Sequence, residues 1–333
     1  MRLPRFDHIK PESLEVSLAF LEKSGKKARL LGGGTDLLVS MKYGLSRPDT
    51  LISLKALPEL SGITADNHGN IVIGAGVTLS NLAKNPIISE KIPVLKKAVL
   101  SVASKHIRNM ATIGGNICLD TRCWYYNQSK LWREAREVCH KTGGSVCHAI
   151  KGSDRCHAIN SSDTAPVLAA LNASVRVVKK GGERLIPIKD FYNNNGFQHT
   201  VLDPEEIITS IAVPVEDEPT NAVFIKSSSR KGLDFSIGSI AAAAKGNSGK
   251  CTLLRLVAGS MTSAPLFLEK AAQVIMQSGL NEKSIEEASK TARSELGTVT
   301  NLFTRAGYKR DLIQALVKKS LNELMKQMKA KRS

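Results

Sequence analysis

The chain has 333 residues, 42% of them apolar, and a net charge of +17. That length exceeds one ordinary core, and no apolar run reaches the roughly 18 residues of a membrane span, which excludes a single small domain and a helical membrane protein. The basic residues are dispersed apart from the tail at 326–333, and aromatics are only 5%, so the surplus charge predicts an acidic partner and no nucleic acid. The start, MRLPRFDHIKPESLEVSLAF, is broken by charges and prolines and reads as no signal peptide, which predicts a cytoplasmic protein.

Residues 11–25 read as a helix opened by Glu12 and Ser13, with Leu14, Leu18 and Leu21 on one face and Gly25 at its end. ARLLGGG follows as a strand running into a glycine turn, and DTLISL (49–54) as another strand, so residues 1–55 form a small βαβ unit. A larger mixed α/β unit over 56–217 begins with the strand NIVIGAG, a helix starting at Thr78 or Ser80, and a helix over 93–104 carrying Leu95, Val99 and Val102. HIRNMATIGGNIC brings a second glycine pair, its GGNIC part strand-like. SDTAPVLAALNA (162–173) is a helix capped by Ser162 or Asp163, and SVRVVKK alternates as a strand, with LIPIKDFY and EEIITSIAVP continuing the mixed pattern. EPTNA (218–222) marks a linker. Beyond it lie strands in 222–245 and 250–261 and helices at 265–278, 281–295 and 308–328, a C-terminal α+β domain over 221–328. The fold class is α+β.

Two stretches carry more glycine than an ordinary turn needs: LLGGGTDLL (30–38) and ATIGGNI (111–117). Adjacent glycines let backbone N–H groups point into one concavity and let a ligand approach closely, so two such loops can grip one pyrophosphate from both sides. Thr35 and Thr112 add hydroxyls, and Asn116 an amide. No G-x-G-x-x-G is present, which excludes the Rossmann dinucleotide fingerprint.

Five of the six cysteines, at 118, 123, 139, 147 and 156, fall in one segment; the sixth is Cys251. Clustering of this kind in an intracellular chain points to metal or redox chemistry rather than disulfides. Four thiolates suit either a [4Fe–4S] cluster or tetrahedral zinc. The spacings fit neither the close pairs of zinc ribbons nor the plant-type [2Fe–2S] motif, whose third cysteine is missing after Cys118 and Cys123. His140, His148 and His157 each follow a cysteine; neighbouring side chains diverge, so they are expected beside the site and not in it.

The ordered set LLGGGTDLLV, HIRNMATIGGNI and SDTAPVLAAL, followed by RKGLDFSIGSIAAAA, resembles the FAD-binding subunits of the molybdenum hydroxylases, the xanthine dehydrogenase and carbon monoxide dehydrogenase medium-subunit family, across essentially the whole chain. The resemblance implies that Leu30, Leu31, Gly32, Gly33, Gly34, Thr35, Asp36 and Leu37 wrap one side of the FAD pyrophosphate, and that Thr112, Ile113, Gly114, Gly115 and Asn116 hold the other. It implies that Asp163 contacts the FAD, that Ile208 lies beside the flavin ring and that Lys226 lies near it. From the residues alone these three read as an N-cap, a core residue and a surface charge.

The segment between GGNI and the SDTAP helix, about 118–159, is an insertion relative to most of that family, and a loop of this length needs something to tie it down. A cysteine-bearing insertion at this point resembles the beta subunit of 4-hydroxybenzoyl-CoA reductase, which carries FAD and a [4Fe–4S] cluster. That resemblance implies Cys123, Cys139, Cys147 and Cys156 as ligands, with Cys118 and Cys251 as packed thiols and Trp124, Tyr125 and Tyr126 as shields against water. The implied function is an electron relay with no catalytic residue of its own. Electrons pass from ferredoxin through this subunit to a small [2Fe–2S] subunit and a large molybdenum-cofactor subunit, in a dimer of heterotrimers, to dehydroxylate 4-hydroxybenzoyl-CoA. The rivals are the flavin subunit of another molybdenum hydroxylase acting on an aromatic or N-heterocyclic substrate, a stand-alone flavin oxidase, and a zinc-bearing nucleic-acid binder.

Overall fold

In the computed structural model, which describes residues 2–215, 220–230, 233–247, 250–297 and 305–330, three sheets follow one another along the chain. The first is parallel, in the order β1-β3-β2, from β1 (Asp7–Ile9), β2 (Ala28–Leu31) and β3 (Thr50–Ser53), with α1 (Leu14–Ser24) and α2 (Leu37–Lys42) as its connections. The Ser13 hydroxyl accepts from the Val16 N–H to start α1, and Gly25 ends it at φ +50°, a conformation that suits glycine. Strand β1 is too short and too exposed to show in the sequence pattern.

The second sheet is antiparallel, in the order β4-β5-β8-β6-β7. It is formed by β4 (Ile63–Ala65), β5 (Asn70–Gly74), β6 (Ser174–Lys179), β7 (Gly182–Pro187) and β8 (Ile207–Pro214). Between β5 and β6 run the short helices α3 (Leu79–Lys84), α4 (Pro86–Lys91), α5 (Pro93–Leu100), α6 (Lys105–Met110), α7 (Ile113–Ile117), α8 (Lys130–Glu134) and α9 (Ala165–Ala170). Thr78 caps α3, its hydroxyl accepting from the Asn81 N–H. The helix expected over 93–104 stops at Leu100, and Ala103 then takes a positive φ of 40°. GGNIC is not extended: residues 113–117 make one helical turn, because the Thr112 hydroxyl caps it through the Gly115 N–H.

The third sheet, β12-β11-β10-β9, is antiparallel: β9 (Asn221–Ser227), β10 (Gly238–Gly246), β11 (Cys251–Gly259) and β12 (Leu266–Phe267), covered by α10 (Glu269–Ser278), α11 (Glu282–Glu295) and α12 (Ala306–Ala330). The alanine run in β10 is explained by burial on both faces. Ala241 and Ala243 join the core that contains α9 and the second sheet, while Ala242 and Ala244 face the core shared with α10–α12. Of the expected linker 218–222, residues 218 and 219 lie outside the described residues, and Asn221 already pairs in β9. No helix among the described residues is long and apolar enough to cross a membrane.

Candidate functional site

Strand β2 delivers Gly32, Gly33 and Gly34 to the end of the first sheet. Their bareness first serves packing. A Cβ on Gly33 would stand 1.9 Å from the Met110 carbonyl oxygen, and one on Gly32 would stand 2.9 Å from the Thr112 hydroxyl, so the two glycine loops touch backbone to backbone. Gly34 turns the chain at φ +72°. The turn leaves a row of donors: among the described residues, no backbone N–H from Gly32 to Leu37 has an acceptor. Successive unpaired N–H groups make a concavity suited to an anion.

A cavity of about 570 Å³ opens between the first and second sheets, the size of a small-molecule site. Leu30, Gly32 and Gly33 line it from one side, Thr112, Gly114 and Gly115 from the other, and Ile208 of β8 from below. The second loop offers fewer donors. From Ile113 to Asn116 its N–H groups are already used, Ile113 donating to Val77 O at 3.0 Å, Gly114 to Ala75 O at 3.0 Å, Gly115 to the Thr112 hydroxyl at 3.1 Å and Asn116 to Thr112 O at 2.9 Å, whereas the Thr112 N–H has no acceptor among the described residues. The polar side chains Lys55, Ser61, Thr78, Asn81, Asn85, Asn109 and Glu206 also line the cavity, none of them expected there from the sequence. The GAGVT turn was the signal available: a Cβ on Gly74 or Gly76 would stand 2.4 or 2.9 Å from the Leu60 carbonyl oxygen, so this turn too is pressed against another chain segment at the cavity wall. Cys118 lines the cavity as well, and burial pushes its thiol up to about 12.

Leu31, Gly34, Thr35, Asp36, Leu37, Ile113, Asn116, Asp163 and Lys226 do not line this cavity. Asn116 is a buried tie, its Oδ1 accepting from the Ser162 hydroxyl at 2.8 Å and the Thr164 hydroxyl at 2.6 Å. Asp163 is no N-cap and Lys226 no surface charge. The Lys226 ammonium donates to Asp163 Oδ2 at 2.6 Å and to Ser101 O at 2.9 Å, with side chains 11% and 6% exposed for the lysine and the aspartate. Among the described residues Asp163 Oδ1 is buried without a partner, and burial pushes this carboxyl up to about 6 against the pull of Lys226. Capping falls instead to the Ser162 hydroxyl, which accepts from the Ala165 N–H. Asp36 turns the other way, accepting from the Arg122 guanidinium and, at 3.2 Å, from the Asp120 N–H, which joins the first glycine loop to the cysteine insertion.

The neck of the insertion is closed by Arg122 and Ile159, each N–H donating to the other's carbonyl at 2.8 Å. Inside it, Cys123, Cys139, Cys147 and Cys156 line one small cavity, and Cys118 and Cys251 do not. Tight turns bring them there: Gly143 has φ +93°, and a Cβ on Gly144 would stand 1.8 Å from the Val138 carbonyl oxygen. Tyr125 and Tyr126 line the cavity with Val146, Ala149 and Ala158. The Ala158 N–H points at Cys156 Sγ at 3.5 Å, and the Thr142 hydroxyl at Cys139 Sγ at 3.6 Å. Among the described residues no three His, Cys, Asp or Glu side chains converge closely enough for one metal ion, so the four thiols surround a common space rather than a common point. Each histidine is turned to another partner: His140 Nε2 lies 3.0 Å from Ser153 O, His148 Nε2 2.9 Å from Glu137 O, and His157 Nε2 2.7 Å from the Ser153 hydroxyl. A second cavity, about 430 Å³, adjoins this site and shares Tyr125, Cys139 and His148 with it; Arg47, Lys130, Arg133 and Arg136 line it together with Glu134 and Glu137, and Lys130 is paired with Glu134 at 3.4 Å.

A pocket bordered by two glycine loops, the first with a row of free amides, suits a ligand that carries an anionic group. Residues 4–216 match the family described as the FAD binding domain in molybdopterin dehydrogenase, and residues 223–324 match the CO dehydrogenase flavoprotein C-terminal domain. The chain belongs to this family, the FAD-binding medium subunits of oxidoreductases of the xanthine and carbon monoxide dehydrogenase type. It is 27% identical to the 6-hydroxypseudooxynicotine dehydrogenase complex subunit alpha of Paenarthrobacter nicotinovorans, over 96% of this chain and 95% of that one. It is 25% identical to the carbon monoxide dehydrogenase medium chain of Afipia carboxidovorans, over 85% and 84%. The fold superposes on a chain of the carbon monoxide dehydrogenase of Hydrogenophaga pseudoflava with a TM-score of 0.82, covering 98% of this chain and 100% of that one at 24% identity.

Proposed function

We propose that this chain is the electron-relay subunit of a molybdenum-containing complex, holding FAD between its glycine loops and a [4Fe–4S] cluster on Cys123, Cys139, Cys147 and Cys156. The observation that carries it is the convergence of these four thiols on one cavity. The donor set fits the cluster: the four cysteines offer soft sulfur, the three histidines that share the lining are engaged elsewhere, and among the described residues no carboxylate lines the cavity, which two tyrosines also wall. Four thiolates also suit tetrahedral zinc, and the metal analysis below separates the two. The family match speaks for the flavin alone.

In this reading the Gly32–Leu37 N–H groups receive the FAD pyrophosphate and Ile208 packs beside the ring. Flavin takes up one or two electrons and an iron–sulfur cluster passes one. The chain's own residues exclude water, neutralise charge and set distances; they perform no bond-making step. The groove lined by Arg47, Arg133 and Arg136 above Cys139 supports an acidic ferredoxin as donor, because basic rims steer acidic partners. The partners are a large molybdenum-cofactor subunit and a small [2Fe–2S] subunit, in a dimer of heterotrimers. The resemblance of the cysteine insertion supports dehydroxylation of 4-hydroxybenzoyl-CoA to benzoyl-CoA as the reaction of the complex. The second reading, a flavin subunit acting on an aromatic or N-heterocyclic substrate, is favoured by relatives named for 6-hydroxypseudooxynicotine and nicotinate dehydrogenases.

Anaerobic purification of the complex followed by iron, sulfide, zinc and flavin analysis tests the proposal. About four iron and four sulfide on this subunit beyond those of a small subunit, with one FAD, are expected. Zinc with FAD would leave the flavin site and overturn the relay. NADH reducing the substrate as readily as reduced ferredoxin does would overturn the choice of donor.

A further inference from the structure

The cysteine cavity has one basic wall. Among the described residues that line it, Lys141 is the one Lys, Arg, Asp or Glu. Its side chain is 5% exposed, and its ammonium donates to Asp120 Oδ1 at 2.8 Å, to the Thr121 hydroxyl at 2.6 Å and to Gly196 O at 2.7 Å. It also lies 5.1 Å over the Tyr126 ring, itself a wall of the cavity. All three N–H donors are therefore spent and the charge cannot swing away. Asp120, the carboxylate it is ion-paired with, is 38% exposed, so water weakens its screening of Lys141 on the solvent side. Asp120 in turn donates its backbone N–H to Asp36, at the end of the flavin-side glycine loop.

We propose that Lys141 is the fixed countercharge of the cysteine site, making the group bound there easier to reduce, and that Asp120 trims this effect. This rests on the cluster reading above. Four thiolates around a cluster carry net negative charge, and each electron accepted from a one-electron donor adds one more, with no bond made or broken at the protein. In a site with little water, a cation held at constant position lowers the energy of the more negative state. A lysine present only to pin the insertion would need its hydrogen bonds and not its charge.

The test is an EPR-monitored redox titration of the purified complex in three variants. Lys141→Gln removes the charge and is expected to move the cluster midpoint to more negative values. Asp120→Asn leaves the lysine and removes its anionic partner, and is expected to move the midpoint the opposite way. Lys141→Arg keeps the charge and is expected to stay close to wild type. Opposite shifts with unchanged iron content support the countercharge, since loosened packing has no reason to reverse sign between neighbours. Shifts of one sign, or unmoved midpoints, overturn it. If Lys141→Gln loses iron, Asp120→Asn decides: a positive shift supports the proposal and none overturns it. A wild type without iron overturns the cluster itself, whereas a wild type with four iron and unmoved midpoints overturns only the role of Lys141.

Discussion

The Lys226 ammonium and the Asp163 carboxylate meet at 2.6 Å between β9 and the turn before α9, tying the C-terminal domain to the wall of the second sheet's core. With both side chains almost out of water, the pair costs desolvation that only its own geometry offsets. Lys226→Met strands a buried carboxylate and is expected to destabilise the chain by about 3–5 kcal/mol, against a smaller loss in the Asp163→Asn/Lys226→Met double variant. Denaturant unfolding of the flavin-free protein checks this.

The same pair predicts a pH dependence. Burial holds Asp163 at about 6, above the ordinary 3.8, so between these values the folded state binds more protons than the unfolded one. Its contribution to stability is therefore greatest below about pH 4 and declines as pH rises through about 6, by up to about 3 kcal/mol. The difference in unfolding free energy between wild type and the double variant, followed from pH 4 to 7, is expected to fall along that window. A difference that rises or stays level would contradict the assigned direction.

Gly33→Ala is expected to unseat the flavin. Its Cβ would stand 1.9 Å from a backbone oxygen of Met110, which no side-chain rotation relieves, so the glycine loops must part. Gly182→Ala, where nothing lies within 4 Å of the added carbon, serves as the control and is expected to change stability by less than about 1 kcal/mol. Flavin content after gel filtration separates the two variants.

Charge reversal on the groove above Cys139 is expected to slow donation from an acidic ferredoxin. Arg133 is held by the Gln128 and Gly44 carbonyls and Arg136 stacks on Trp132 at 3.6 Å, and among the described residues neither has a carboxylate partner. Exposed Leu131 and Val138 add apolar area beside them. Arg133→Glu/Arg136→Glu should lower the ferredoxin-dependent rate at least tenfold at low ionic strength, less at high salt, and leave reduction by dithionite unchanged. Stopped-flow reduction at two salt concentrations measures it, and equal slowing with both reductants would refute the docking role.

Much of the secondary structure was legible locally. Ser13 and Gly25 bound α1, Thr78 caps α3, and the alternation in SVRVVKK yields β6, because caps and periodicity act within a few residues. Segments whose state depends on distant partners were not. GGNIC looked extended until Thr112 capped it, and β1 and β12 exist only because β3 and β11 lie beside them.

For the site, the residue types alone determined the chemistry on offer: bare glycine backbone in two loops, and a run of thiols too rich for packing. Which of them act together was decided by tertiary structure. The loops are some 80 residues apart in sequence, and their contact at Gly33 and Met110 is a matter of shape that no local pattern encodes. The same contact shows that glycine there serves packing as well as donation, and most of the free N–H groups lie on the first loop. Asp163 and Lys226 looked like a cap and a surface charge because burial is a property of the assembled core, and so is the pairing that makes burying them tolerable.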